Sequence, residues 1–234
     1  MKMKNKKAEQ AADKEKHKEQ LKAKRRTETN VERSTPILIE KPTIIIVCEG
    51  KNTEPSYFNK FRLSTATIKP VGEGFNTISL VKRAMQIASN GNYEQVWCVF
   101  DKDDFSDIDF NNAIILAESV GYGVAYSNQA FEYWILLHFN DHQGGGIHRD
   151  EYNDKINKSL KDYNITYDGK KSKIITSDIF EILDGIDEKT GKERKKLAIE
   201  RALRNYNKFD HKNPAIEEST TTMFKLIDEL IKYI

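Results

Sequence analysis

Two short apolar runs, each ending in acid, constrain this chain more than any other feature. Ile44-Ile45-Ile46-Val47-Cys48 leads into Glu49-Gly50, and Val96-Trp97-Cys98-Val99-Phe100 leads into Asp101-Lys102-Asp103-Asp104. Runs of about five β-branched and aromatic residues bounded by turn formers are the pattern of strands buried on both faces, as in a parallel sheet. In an open α/β sheet the crevice lies beyond the carboxyl ends of the strands. A Glu after one strand and an Asp-x-Asp after another therefore bring three carboxylates to one place. Left alone, such charges repel, and some must keep their protons. A hard divalent cation held by oxygen ligands, such as Mg²⁺ or Mn²⁺, removes that conflict. Phosphoryl chemistry at Glu49, Asp101 and Asp103 is the leading expectation.

The rest of the chain alternates in the same sense. Strands are expected at 43–48, 66–71, 94–100 and 122–126, and helices at about 54–63, from Asn76 or Thr77 to Ser89, and at 109–120. Pro55 falls in a first helical turn, where proline is tolerated. Gly72-Glu73-Gly74 reads as a turn, and Gly121 stands where a helix stops. After Ser127-Asn128 no further strand is expected, and helices follow at 130–139, 151–161, 175–184, 192–208 and 219–233. Gln143-Gly144-Gly145-Gly146 reads as a mobile loop. The expected fold class is α/β: a parallel sheet with flanking helices and right-handed crossovers, then a helical C-terminal extension. The expected organisation is an arm at 1–35, a core at 36–140 entered past Pro36 and Pro42, and a helical extension at 141–234 packed on that core.

Charge is uneven along the 234 residues. Residues 1–35 carry 12 Lys and Arg against 6 Asp and Glu, and the remainder 26 against 30. With almost no large apolar residues, the arm is either disordered or a solvated helix. Its cations suit phosphate neutralisation, as in non-specific nucleic-acid binding, and equally a solubilising or partner-docking tail. Cys48 and Cys98 lie inside apolar strands, as free core thiols do in a reducing compartment. No apolar h-region and no stretch near the ~20 residues that span a bilayer is present. The expected location is cytoplasmic.

Several side chains need a structural reading beside a functional one. Thr53 suits a helix cap and Glu54 suits the positive end of a helix dipole, both structural roles. Asp104 either joins Asp101 and Asp103 or caps the next segment. Phe131, Trp134, Ile135 and His138 share one helix face, which suits core better than a base-stacking surface. Glu132, one turn in, is either a metal-site acid or a surface carboxylate. His138, His142 and His148 are too loosely spaced for a zinc site. Lys170, Lys171 and Lys173 either meet phosphates at the crevice or solvate a loop, and Lys51, Ser127 and Asn128 fall at the same edge as the acids.

Three stretches together resemble the RloB family of bacterial abortive-infection proteins, whose core is similar to the Toprim fold of topoisomerases, primases and old-type nucleases. They are Cys48-Glu49-Gly50 through Thr53-Glu54 with Tyr57-Phe58, then Phe100-Asp101-Lys102-Asp103, then Ser127-Asn128 with Phe131-Glu132-Tyr133-Trp134 and Leu136-Leu137-His138-Phe139. Asn213-Pro214 and the closing helix give a weaker echo. The resemblance spans about residues 40–234. It implies a Toprim-like parallel sheet, Glu49 as general acid/base, Asp101 and Asp103 as Mg²⁺ ligands, and a role in phage defence beside a partner ATPase of the AAA or ABC type. Where relatives tend to carry Ser-Asn-Pro, this chain has Ser127-Asn128-Gln129-Ala130, which predicts a less rigid turn.

The first expected function is a Mg²⁺-dependent nuclease cleaving RNA, such as tRNA, or DNA. Its catalytic and metal-binding residues are Glu49, Asp101 and Asp103, with Glu132 and Asp104 as further metal candidates. Lys51, Ser127, Asn128, Lys170, Lys171 and Lys173 are its expected nucleic-acid contacts. The alternative is a non-catalytic nucleic-acid-binding or regulatory subunit of a defence complex. A small-phosphoester phosphatase is disfavoured, because Asp104-Phe105 stand where such enzymes carry a small hydroxylated residue. A homo-oligomer is left open.

Overall fold

A computed structural model describes residues 12–23, 42–70 and 77–234. The expected turn at 72–74 and a cap at Asn76 lie outside them, as does most of the 1–35 arm. The chain divides into two units, Met1–Glu40 and Lys41–Ile234. In the first, residues 12–23 form a helix, α1, exposed throughout.

The second unit is built on four parallel strands: β1 (Ile44–Cys48), β2 (Ala66–Pro70), β3 (Gln95–Asp101) and β4 (Gly123–Ser127), in the order β2-β1-β3-β4. The chain leaves β1 toward one edge and returns at β3 to build toward the other. The switch point, where ligands bind in such sheets, therefore lies beyond the ends of β1 and β3. Register places Cys48 opposite Val99 and Asp101 opposite Ser127, so Glu49 and Asp101 emerge side by side.

Alternating residues feed two apolar layers. Ile45, Val47, Cys98, Phe100 and Tyr126 pack with α3 (Thr77–Ser89) and α4 (Asp107–Ser119). Ile44, Ile46, Cys48, Val99 and Ala125 face the other way, toward α2 (Thr53–Phe58), α5 (Glu132–Phe139), α6 (Tyr152–Leu160), α7 (Ser177–Asp184), α8 (Arg194–Tyr206) and α9 (Met223–Ile231). Cys48 and Cys98 lie on opposite faces of the sheet and are free thiols. No helix among the described residues is long and apolar enough to cross a membrane.

The α5 sequence Glu-Tyr-Trp-Ile-Leu-Leu-His is buried along its whole length, not on one stripe. It is a central helix, and the expected core role of Phe131, Trp134, Ile135 and His138 holds. His138 donates from Nδ1 to the Trp134 carbonyl (2.9 Å), and burial lowers its pKa to about 4.

The C-terminal side departs from expectation at 219–222. The helix there begins only at Met223. Ser219–Thr222 instead runs antiparallel along β4: Asn128 N–H reaches the Thr220 carbonyl (2.8 Å), and Thr222 N–H reaches that of Tyr126 (2.8 Å). The Thr222 hydroxyl accepts from Tyr126 N–H (2.8 Å). Three successive β-branched threonines favour extended backbone, and the segment covers an otherwise open sheet edge. Ser219 also fixes the glycine-rich loop, its hydroxyl donating to the Gly145 carbonyl (3.0 Å) and accepting from Ile147 N–H (3.2 Å). Gly144 and Gly145 adopt φ 104° and 96°, which other residues rarely take. The loop expected to be mobile is tied down at both points.

Ser127 and Asn128, expected to meet nucleic acid, are fully buried. The Ser127 hydroxyl is bonded to that of Thr221 (3.0 Å), and the Asn128 amide donates to the carbonyls of Pro214 (2.8 Å) and Ala215 (3.0 Å). With no surface to offer a ligand, these residues fasten β4 to the C-terminal segment. Asn128→Ala removes the amide from both carbonyls, leaving Pro214 only its bond from the Glu217 N–H (3.2 Å), and should cost about 1–3 kcal/mol of stability, read as a lower denaturant midpoint. An unchanged midpoint would show that water replaces the amide.

Candidate active site

A cavity of about 490 Å³ opens at the switch point, lined by Glu49, Gly50, Lys51, Glu54, Asp101, Asp103, Glu132, Arg149 and Lys173 among others. Glu49 follows β1 directly, with its N–H on the Val99 carbonyl (2.9 Å). Its Oε2 accepts from the Asp101 N–H (3.3 Å), which joins the two strand ends. Asp101 closes β3, and its Oδ2 accepts from the Phe131 N–H at the start of the α5 segment (3.0 Å). Its Oδ1 is buried and has no hydrogen-bond partner. A buried carboxylate oxygen left unpaired is costly.

Two acids assigned structural or undecided roles from sequence sit in this cavity. Glu54, in the first turn of α2, is buried. A Cβ on Gly50 would lie 2.2 Å from Glu54 Oε2, so the glycine after Glu49 makes room for a second carboxylate. Its φ is not left-handed, and close approach is the reason for glycine here. Glu132 is buried on α5 and accepts from the Tyr167 hydroxyl (2.8 Å).

The electrostatics follow from this crowding. Burial, with Glu54 adding repulsion against the Asp101 N–H bond, pushes Glu49 up to about 7. Burial also raises Glu54 to about 7, with Glu132 reinforcing it, while its own N–H, that of Gly50 and Lys173 oppose the rise. Asp101 is pushed well above the ordinary range by burial, then by Glu54, Glu132 and Glu49. Four carboxylates thus act on one another, with Asp101 at their centre.

Asp103 stands apart. It adopts φ 41° and forms an ion pair with Arg149, while its N–H bonds the Gln129 carbonyl (3.2 Å). Asp104 is exposed and does not line the cavity, so it offers nothing to a cation there. Lys102 faces away, toward Asp107 (3.2 Å) and the Phe105 carbonyl. Among the described residues, no three His, Cys, Asp or Glu side chains are grouped to hold a metal ion as they stand. The donor set nonetheless fits a hard divalent cation in its chemistry: clustered carboxylates, raised pKa values and an unpaired buried Oδ1 on Asp101.

Among the expected basic contacts, Lys51 is exposed at the cavity rim and Lys173 is half-buried on its wall. Lys170 and Lys171 are exposed on the adjoining loop, and neither lines this cavity. The turn expected to be loose is braced. Gln129 Oε1 accepts from Arg149 N–H (2.8 Å), and its amide donates to Glu218 (2.9 Å). Its φ of 83° is one that proline cannot adopt. Sequence reading missed Arg149 and Tyr167, which carry no local signal, and underrated Glu54, whose signals are its place on the first turn after Glu49-Gly50 and its part in the stretch that carries the family resemblance.

For Glu49 and Glu54 the folded-state pKa lies above the unfolded value, so the native state binds more protons between about pH 4.5 and 7. Their contribution to stability without metal therefore falls as pH rises through that window and stays low above it. Glu54→Gln should stabilise the metal-free protein at pH 8 by roughly 1–3 kcal/mol and reduce its gain in melting temperature on acidification to pH 6. An equal gain in the variant would place the titration elsewhere.

Neither a curated protein nor a solved structure matches this chain. A family model described as RloB-like protein matches residues 44–230, taking in all four strands, the whole acidic cavity and most of α9. The chain belongs to the RloB-like protein family.

Proposed function

We propose that this protein is a Mg²⁺- or Mn²⁺-dependent nuclease with a Toprim-like core, acting on RNA, such as tRNA, or DNA in anti-phage defence. The observation that carries the reading is the buried, unpaired Oδ1 of Asp101 amid Glu49, Glu54 and Glu132 at the sheet's switch point. Asp101, fixed by the Phe131 N–H, is the anchoring ligand for a cation, and Glu54 and Glu132 lie within its electrostatic reach. Such a cation supplies Lewis-acid polarisation of a phosphodiester and stabilises charge on the leaving oxygen. Glu49, half-buried with a pKa of about 7, is suited to take and return a proton at neutral pH. Lys51 and Lys173 add positive charge around the acids. The defence role and a partner ATPase rest on family resemblance.

A second reading, a nucleic-acid-binding or regulatory subunit without catalysis, draws on the Asp103–Arg149 pair, which leaves the second Asp of the Asp-x-Asp facing a cation side chain. Asp101→Asn separates the two. It keeps shape but removes the central charge, and a catalytic metal contributes several kcal/mol to transition-state stabilisation. Cleavage of labelled RNA or DNA should therefore fall by roughly a hundredfold or more. Stabilisation by Mn²⁺, read as a rise in melting temperature, should shrink in the same variant. Full cleavage or undiminished phage protection by Asp101→Asn would favour the second reading.

A further inference from the structure

A second cavity, of about 370 Å³, adjoins the first, and Glu132, Arg149 and Lys173 line both. Its character is different. Lys170 joins Arg149 and Lys173 on its wall, against one buried acid, Glu132, already bonded to Tyr167, and one exposed acid, Asp150.

The backbone that carries the lysines is held in place by construction. Asp168 accepts from the N–H groups of Lys170 (3.3 Å), Lys171 (3.0 Å) and Ser172 (3.2 Å) through its carboxylate, and from Lys173 N–H through its carbonyl (2.8 Å). Gly169 N–H donates to Asn153 Oδ1 (3.0 Å). A Cβ at Gly169 would lie 2.8 Å from the Tyr167 ring, so the loop lies tight against the residue that bonds Glu132. Arg149 is positioned through its N–H by Gln129. Tyr152 also lines this cavity. Its hydroxyl is buried beside that of Ser219, which donates to Gly145, accepts from Ile147 N–H and keeps one lone pair.

We propose that this second cavity takes the phosphate next to the one that is cut, with Arg149 shared between that phosphate and Asp103. The inference deepens the nuclease reading and rests on it. A small phosphomonoester occupies the acidic cavity alone, whereas a nucleic-acid strand presents a second phosphate along its backbone, for the adjoining cavity with Arg149, Lys170 and Lys173 on its wall. The substrate class is therefore a strand with at least two consecutive phosphates. Arg149 is both a phosphate contact and a competitor for Asp103: while it pairs with Asp103 it is partly neutralised, and release of either partner strengthens the other's hold on ligand.

The test is equilibrium binding of a fluorescent single-stranded oligonucleotide to the full chain in EDTA, so that cleavage plays no part. Arg149→Ala and, separately, Lys170→Ala should each weaken binding several-fold. Each should also flatten the log–log salt slope by about 0.7, the contribution of one neutralised phosphate on a single strand. Lys170 is exposed, so its variant tests the cavity without risk to the fold. Asp103→Asn should tighten binding, and in a double-mutant cycle that gain should vanish when Arg149 is also Ala. Wild-type affinity and slope in both single variants would overturn the proposal. So would an Asp103→Asn gain of the same size in both backgrounds, or competition by polyglutamate as strong as by unlabelled oligonucleotide. If binding behaves as expected but no cation supports cleavage, the nuclease reading fails and the phosphate cavity stands. If cleavage depends on Asp101 but binding ignores Arg149 and Lys170, the reverse holds.

Discussion

The arrangement turns on one uncomfortable contact, the Asp101 carboxylate buried at the end of β3 among Glu49, Glu54 and Glu132. Removing a carboxylate from water is expensive unless it is neutralised or hydrogen-bonded. The surroundings supply only part of that compensation: the Phe131 N–H on Asp101, the Asp101 N–H on Glu49, the Tyr167 hydroxyl on Glu132, and Lys173 near Glu54. These partners come from the end of β3, the turn before α5 and the loop between α6 and α7, so the acids determine how the pieces around the crevice assemble. The Gly50 position, with no room for a Cβ beside Glu54, belongs to the same construction. A fold selected for stability alone has no reason to gather repelling carboxylates around an unpaired oxygen. Perturbed groups of this sort concentrate where chemistry or binding is done.

Much of the scaffold is legible in the sequence because its signals are local. The runs 44–48 and 96–100 are apolar, β-branched and bounded by acids or turns, and they become β1 and most of β3. Gly121, at φ 77°, ends α4 as its position predicts. Glu49 and Asp101 fall at the crevice because parallel strands share one direction, which the continuous apolar runs already imply. What stays hidden depends on distant partners. Ser219–Thr222 forms an edge along β4 because Tyr126 and Asn128 offer unpaired backbone groups there, and no window around the threonines contains that fact. The same segment explains why Ser127 and Asn128 are interior fastenings and not ligands. Glu54 looks like an ordinary first-turn helix acid until the strand end beside it is known, and Arg149 is one arginine among many until the loop folds back.

The two acids of the Asp-x-Asp end in opposite circumstances, and the backbone is the cause. Asp101 is the last residue of a strand, with its carboxylate drawn inward by the Phe131 N–H, its backbone paired with Ser127 of β4 on one side and its N–H bonded to the Glu49 carboxylate on the other. Asp103, two residues on, has left the sheet in a left-handed conformation, and its partner is a half-exposed arginine from another loop. An ion pair between partly exposed groups is weak and exchangeable, whereas a buried carboxylate fixed by a backbone donor is neither. Strand alternation would have placed both side chains on the same side, but the turn after β3 separates a permanent anchor from an exchangeable arm. The exchangeable one faces Arg149, on the wall between an acidic cavity and a basic one. In the proposed complex a nucleic-acid strand would lie across that wall and contact both cavities, with the Asp103–Arg149 pair at the junction between them.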